Sequence, residues 1–246
     1  MAQKVFDSHT HLPTAGYTGN RGMFKTATDA ITYLKESGTS AALFNMWQGV
    51  LSQSEEDLDV GNRDALHLAQ EYKGFLYPGA VIHPAYPDAS RRWLQQFRDA
   101  GFHWVGELIL EKIGIAYKDE RFMTLFEECL RHNHVVQLHA HGDILEVAKA
   151  FPGLRIVCSH IASDLLECLA GCPNVWLDIS GGRGGLWVGA IEEAYAAFGP
   201  DRLLYGTDFT GYEPRCFMAR LNVAVRDEDH CERILHRNVE KLLGII

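Results

Sequence analysis

Apolar residues fall in two alternating rhythms along this chain. Short, nearly continuous apolar runs occupy 4–12, 41–47, 75–82, 104–110, 135–140, 155–160, 175–180 and 203–209. Several lack the polar residue at every second position that a half-exposed strand needs. They predict parallel strands covered on both faces. Between them the period lengthens to that of a helix. In 119–131, Phe122, Leu125, Phe126, Cys129 and Leu130 mark one stripe, with Asp119 and Glu120 at the start and Arg131 at the end. That charge order suits the helix dipole. The window 88–100 sets Trp93, Leu94 and Phe97 on one face before Gly101, a helix stop. The window 57–72 repeats the scheme with Leu58, Ala65, Ala69 and Tyr72. A strand–helix alternation of this kind implies an α/β fold with a parallel sheet and helices outside it.

Eight such units can close into a single (β/α)8 barrel, the TIM barrel, or lie open as a doubly wound sheet. The closed form is the reading adopted, since 246 residues match the ~250 typical of that barrel. No linker, repeat or low-complexity stretch divides the chain, so one domain over 1–246 is expected. The helical-looking segment 212–246 is expected to pack across the barrel as a closing element. Apolar residues make up 47% of the chain, enough for a large core. No run approaches the ~18 apolar residues of a membrane span. The first twelve residues carry one lysine and run into a polar, His-rich stretch, which does not read as a signal peptide. The six cysteines form no CxxC pair and are expected to be reduced, as in a cytoplasmic protein. A net charge of −9 argues against a general nucleic-acid surface.

Twelve histidines are many for this length, and their positions matter more than their number. In a (β/α)8 barrel the active site lies at the C-terminal strand ends. The first strand ends with His9 and His11, two apart and therefore on one face. The fourth carries Glu107 inside an apolar run, where an unpaired carboxylate would be costly. The fifth ends with His139 and His141, the sixth with His160, the eighth with Asp208. Taken singly, His139 or His160 could be a hydrogen-bonded core histidine, and Asp208 a helix cap. Six such groups, counting one histidine from the fifth strand, at equivalent ends of five strands instead point to one metal site. Imidazole and carboxylate together suit zinc and similar divalent ions. An ion with an open position turns bound water into hydroxide near neutral pH. Asp208 is placed to take and return the proton, and His160 to polarise a carbonyl.

With these residues in view, the sequence resembles the amidohydrolase superfamily over nearly its whole length. The opening Asp-Ser-His-Thr-His, the histidines of strands five and six and the terminal Gly-Thr-Asp carry the likeness. The closing Ile234-Leu-His-Arg-Asn238-Val-Glu-Lys-Leu-Leu-Gly is similar to the amidohydrolase-2 branch, which includes aminocarboxymuconate-semialdehyde decarboxylase and lactone hydrolases. The resemblance implies that His9, His11, His139 and Asp208 bind the principal ion, with His160 a ligand or a catalytic neighbour. Gly106-Glu107 looks more like the TatD-type deoxyribonucleases, where a glutamate here helps to hold two metals, so the count of one ion or two stays open. Lys112 lies past the strand and is a poor match for the carbamylated lysine of other relatives. His139 is preferred to His141 because it sits inside the apolar strand, whereas Gly142 marks a turn.

Substrate signals are thin. Arg183 lies in Ser180-Gly-Gly-Arg-Gly-Gly and could pair with a carboxylate or phosphate, or sit on a solvated loop. Trp47, Gln48, His83 and Tyr212 follow strands and could line a pocket for a small molecule. Hydrolysis of a small ester, lactone or amide is the first expectation. Decarboxylation of a small carboxylate comes second, a TatD-like nuclease third, and a non-catalytic metal protein last. A homodimer is left open.

Overall fold

The computed structural model describes residues 3–14, 16–18, 22–181 and 186–246. Eight parallel strands follow in sequence order: β1 (Phe6–Leu12), β2 (Ala41–Met46), β3 (Leu76–Ala80), β4 (Trp104–Leu108), β5 (Val135–His139), β6 (Arg155–Ser159), β7 (Val175–Asp178) and β8 (Leu203–Leu204). The sheet closes. Ser8 N donates to Tyr205 O at 2.8 Å, Asp208 N donates to His9 O at 2.9 Å, and Thr10 bridges Phe209. The closed barrel is therefore the fold, and the open sheet is excluded. The strand β8 is shorter than the apolar run 203–209, and Asp208 beyond it adopts a left-handed φ of 56°.

Helices cover the outside: α1 (Ala27–Glu36), α2 (Trp47–Val50), α3 (Glu55–Glu71), α4 (Pro87–Asp99), α5 (Leu110–Ile113), α6 (Glu120–Arg131), α7 (Ile144–Ala150), α8 (Leu166–Ala170), α9 (Ala190–Phe198), α10 (Pro214–Ala224), α11 (Glu228–Glu232) and α12 (Asn238–Leu243). The apolar stripe of α6 is buried at Phe122, Leu125, Phe126 and Cys129. Its orphan N–H groups are met in part by Asp119, which accepts from Arg121 N. In α4 a proline opens the first turn, where no N–H is needed, and Trp93, Leu94 and Phe97 face inward. Among the described residues no helix is long and apolar enough to cross a membrane.

The two ends of the barrel are built differently. Phe6, Ala41, Trp104 and Val135, each at the start of its strand, join Leu43, Val157 and Leu204 in one apolar cluster. Val239 and Leu242 of α12 complete that cluster, so the last helix plugs the N-terminal end. A π-helical turn, Arg233–Arg237, leads into it, with Ile234 O accepting from Tyr205 N at 2.8 Å. Asn238 Nδ2 donates to Leu203 O at 2.8 Å. The opposite end carries the polar residues.

Candidate metal centre at the C-terminal rim

Two irregular strands aim the site. In β1 three residue steps from Asp7 to Thr10 stand against two on β2, from Ala42 to Phe44. In β4 the three steps from Val105 to Leu108 face two on β5. An extra residue reverses which face the following side chains occupy. Phe6 therefore points inward with His9 and His11, and Trp104 with Glu107, although strict alternation would separate them. Gly106 makes the second bulge feasible. Its φ is 93°, and a Cβ there would lie 2.2 Å from Gln137 O.

The imidazoles and carboxylates converge. His9 Nε2 and His11 Nε2 are 3.1 Å apart. Glu107 Oε2 lies 3.4 Å from each. Asp208 Oδ1 lies 3.8 Å from His9 Nε2 and 3.5 Å from His11 Nε2. Four donors at ~2.1 Å from one ion stand about 3.4 Å from one another in a tetrahedral shell. The spacings of His9, His11 and Glu107, and of Asp208 from the two histidines, are close to that value, and the mixture of imidazole and carboxylate fits a divalent ion. The other oxygen, Glu107 Oε1, faces His139 Nδ1 at 3.0 Å and His160 Nε2 at 3.3 Å. His139 and His160 thus join the cluster through Glu107, and their rings meet edge to face at 4.6 Å.

Charge is concentrated here without solvent. Burial opposes ionisation of Glu107, yet His9 and His139 outweigh it and hold the carboxylate well below its usual range. Burial would lower His9 too, but Glu107 and Asp178 raise it well above an ordinary histidine. His139 is raised by the same contest between burial and Glu107. An ion taking a lone pair of these rings has to displace any proton on that nitrogen. Asp208 goes the other way. Burial raises its carboxyl despite His9, His11 and His160 nearby. Both His160 and Asp208 sit in the left-handed region, at φ 67° and 56°. Such backbone is costly and here supports polar groups at one rim.

Several supporting residues were not singled out from the sequence. Asp178 at the end of β7 is fully buried and accepts from His9 Nδ1 at 3.0 Å. Ser180 lies between His160 and Asp178. Asn45 Oδ1 accepts from Glu107 N at 2.7 Å while its Nδ2 donates to Gly79 O at 2.7 Å. Asp7 is a buried pin between β1 and β8. It accepts from Thr207 Oγ1 at 2.6 Å, and burial pushes its carboxyl up to about 7. The signal available for Asp178 was the one used for Glu107, a carboxylate inside an apolar strand. Gly206 packs where a Cβ would lie 3.0 Å from His9 Cβ, which accounts for the glycine in Gly-Thr-Asp.

A cavity of about 330 Å³ opens above the cluster. Trp47, Glu107, Lys112, His139, His160, Asp208 and Tyr212 are among the residues lining it. The Trp47 ring stacks near His11 at 4.3 Å, and its Nε1 donates to Thr210 Oγ1 at 3.1 Å. Trp47 and Tyr212 therefore stand where a pocket wall was expected, and Gln48 and His83 do not. Gln48 bonds Thr14 and Asp57, and His83 Nδ1 accepts from Ala85 N. His141 turns away from the cavity, its Nδ1 accepting from Asp143 N at 3.1 Å, so His139 alone of that pair meets Glu107. Arg183 lies outside the described residues.

Solved structures with this fold include a 2,6-dihydroxybenzoate decarboxylase from Rhizobium, at TM-score 0.79 and 14% identity, covering 99% of each chain. A 5-carboxyvanillate decarboxylase from Novosphingobium aromaticivorans, complexed with manganese and 4-hydroxy-3-methoxy-5-nitrobenzoic acid, matches at TM-score 0.77 and 14% identity, over 98% of this chain and 96% of that one. A dihydroxybenzoic acid decarboxylase from Polaromonas, with manganese and the inhibitor 2-nitroresorcinol, matches at TM-score 0.77 and 13% identity, over 99% and 97%. At such identities the likeness establishes the fold. No curated protein matches the sequence. The amidohydrolase family model matches residues 6–245, nearly end to end, and the chain belongs to the amidohydrolase-2 family.

Proposed function

We propose that this protein is a metal-dependent, non-hydrolytic decarboxylase of a small aromatic carboxylate. This reading replaces the hydrolysis that the sequence alone put first. The observation that carries it is Asp208. Its carboxyl faces the cavity, and burial raises its pKa. From there it can hand a proton to a substrate in the cavity, which decarboxylation needs, and a raised carboxyl favours that direction. Hydrolysis would ask the same residue to be a base. The manganese bound in two structural neighbours, with an aromatic acid in one and the inhibitor 2-nitroresorcinol in the other, supports the same reading.

His9, His11, Asp208 and Glu107 are the residues that would hold a divalent ion, manganese or zinc, whose charge would orient and neutralise an anionic substrate. The chain's own groups do the rest. Trp47 and Tyr212 offer flat apolar walls to a ring. His139, held beside Glu107, and Lys112 at the rim offer N–H donors to a carboxylate. Asp208 Oδ1 makes the contacts to His9 and His11, which leaves Oδ2 as the oxygen to deliver a proton. That proton passes to the ring carbon bearing the carboxylate. The carbon–carbon bond then breaks, its electron pair restores the ring, and carbon dioxide leaves. Asp208 recovers its proton from water.

The test is a parallel assay of manganese-loaded and zinc-loaded protein against hydroxybenzoates and against phenyl esters and lactones. The expected result is carbon dioxide release from an aromatic acid, with one deuterium at the vacated ring carbon when the solvent is D2O. Turnover of esters or lactones only, with oxygen-18 from water in the product, would restore the hydrolytic reading and reject this one.

A further inference from the structure

Asp178 ends β7 with its carboxylate fully buried behind the histidine cluster. Five donors converge on it. Oδ2 accepts from His9 Nδ1 and Gln137 Nε2, each at 3.0 Å. Oδ1 accepts from Ser180 N at 2.9 Å, from His160 N at 3.3 Å, and from the Ser180 hydroxyl. The two backbone N–H groups and the Gln137 amide can only donate, so both oxygens of Asp178 act as acceptors and the Ser180 hydroxyl hydrogen points at Asp178. The lone pairs of Ser180 Oγ then face His160 Nδ1 at 2.8 Å and His9 Nδ1 at 3.2 Å. Both Nδ1 atoms must therefore carry hydrogen. Both rings turn Nε2 toward Glu107, His9 at 3.4 Å and His160 at 3.3 Å. Gln137 is oriented in turn, since its Oε1 accepts from Trp104 Nε1 at 3.0 Å and its NH2 group is left for Asp178.

We propose that Asp178 and Ser180 are positioning residues that lock His9 and His160 in the Nδ1–H tautomer, so that both Nε2 lone pairs enter one cavity. A neutral imidazole offers a lone pair through one nitrogen only when the other holds the hydrogen. Here one buried carboxylate serves His9 directly and His160 through one hydroxyl. The proposal rests on the rim being an ion site, and it is independent of the reaction performed there. It also separates two substitutions. Asp178→Asn removes the acceptor for His9 Nδ1–H and puts an amide donor in its place. Ser180→Ala leaves that acceptor intact and strips the partner from His160.

The experiment is zinc affinity by chelator competition, combined with long-range 1H–15N NMR of histidine-labelled, zinc-loaded protein. Wild type should show hydrogen on Nδ1 of both His9 and His160. Asp178→Asn, shown to be folded by circular dichroism, should raise the zinc Kd by about 10–100-fold, the usual cost of losing a ligand's outer partner. Ser180→Ala should change the zinc Kd by less than about threefold while mixing the His160 tautomers and lowering kcat, and Ser180→Thr should restore both. If Asp178→Asn does not fold, the Ser180→Ala spectra decide the matter. Hydrogen on Nε2 of His160 in wild type, or an unchanged zinc Kd in folded Asp178→Asn, overturns the proposal. Wild type that binds no zinc rejects the ion site instead, and the His160 tautomer in the same spectra still decides whether Ser180 holds that ring.

Discussion

The barrel's two ends use the same strands for opposite purposes. At the N-terminal end Phe6, Trp104, Val135, Val157 and Leu204 meet Val239 and Leu242 in an apolar plug. One or two turns along the same strands, His9, Glu107, His139, His160 and Asp208 crowd charge and left-handed backbone into one rim. The plug gains stability from apolar burial alone. The rim gives some of that up for groups held where an ion and a substrate can use them. Stability and chemistry should therefore respond to separate substitutions.

The largest expected effect breaks the rim and spares the plug. Asp208→Asn keeps shape and an acceptor oxygen but loses the proton, and kcat should fall by ~10²-fold or more, the scale of general acid–base catalysis. Metal content and Tm measured on the same preparation should stay near wild type. Near-normal kcat at full metal occupancy would mean that another group moves the proton. The converse substitution, Leu242→Ala, opens a void under the barrel. It should cost about 3 kcal/mol in urea denaturation, within the range for buried leucines, and leave kcat/KM per folded molecule unchanged.

A third, smaller effect lies near the plug end and depends on pH. His134, just before β5, is buried. Burial, reinforced by His103 and His132, lowers its pKa to about 4. The folded state therefore prefers the neutral ring, while the unfolded chain takes a proton near pH ~6.5. Its contribution is full above that pH and is lost as pH falls toward about 4. Moving from pH 7 to pH 5 should remove about 2 kcal/mol of unfolding free energy through this residue. His134→Phe should flatten that part of the profile, and an equally steep fall in the variant would assign the effect elsewhere. The smallest effect sharpens the edge of the rim. His141→Asn should alter kcat by less than about twofold, because its ring bonds Asp143 rather than Glu107.

The fold was legible because its signal is repeated. Buried parallel strands need continuous apolar runs, and covering helices need stripes such as Phe122, Leu125, Phe126 and Cys129. The rim residues were legible because a carboxylate such as Glu107 in an apolar run demands a partner. The bulges at Ser8–His9 and Gly106–Glu107 were not legible, since the extra residue shows only in the strand register. Those bulges bring Glu107 to the same face as Trp104, and no alternation rule would have placed it there. Asp178 ends an apolar strand as a buried carboxylate too, the same signal that Glu107 gives. It lies behind His9 and is reached through an imidazole, a relation with no sequence spacing to betray it.

The central claim is that the rim, and nothing else in the barrel, holds the working ion. Its most direct test is elemental analysis after loading with manganese or zinc at neutral pH and removing excess ion. Wild type should retain a divalent ion tightly at the rim, and His9→Asn and His11→Asn should each lose it while remaining folded. A folded wild type that keeps neither metal, or histidine variants that keep the full amount, would contradict the account.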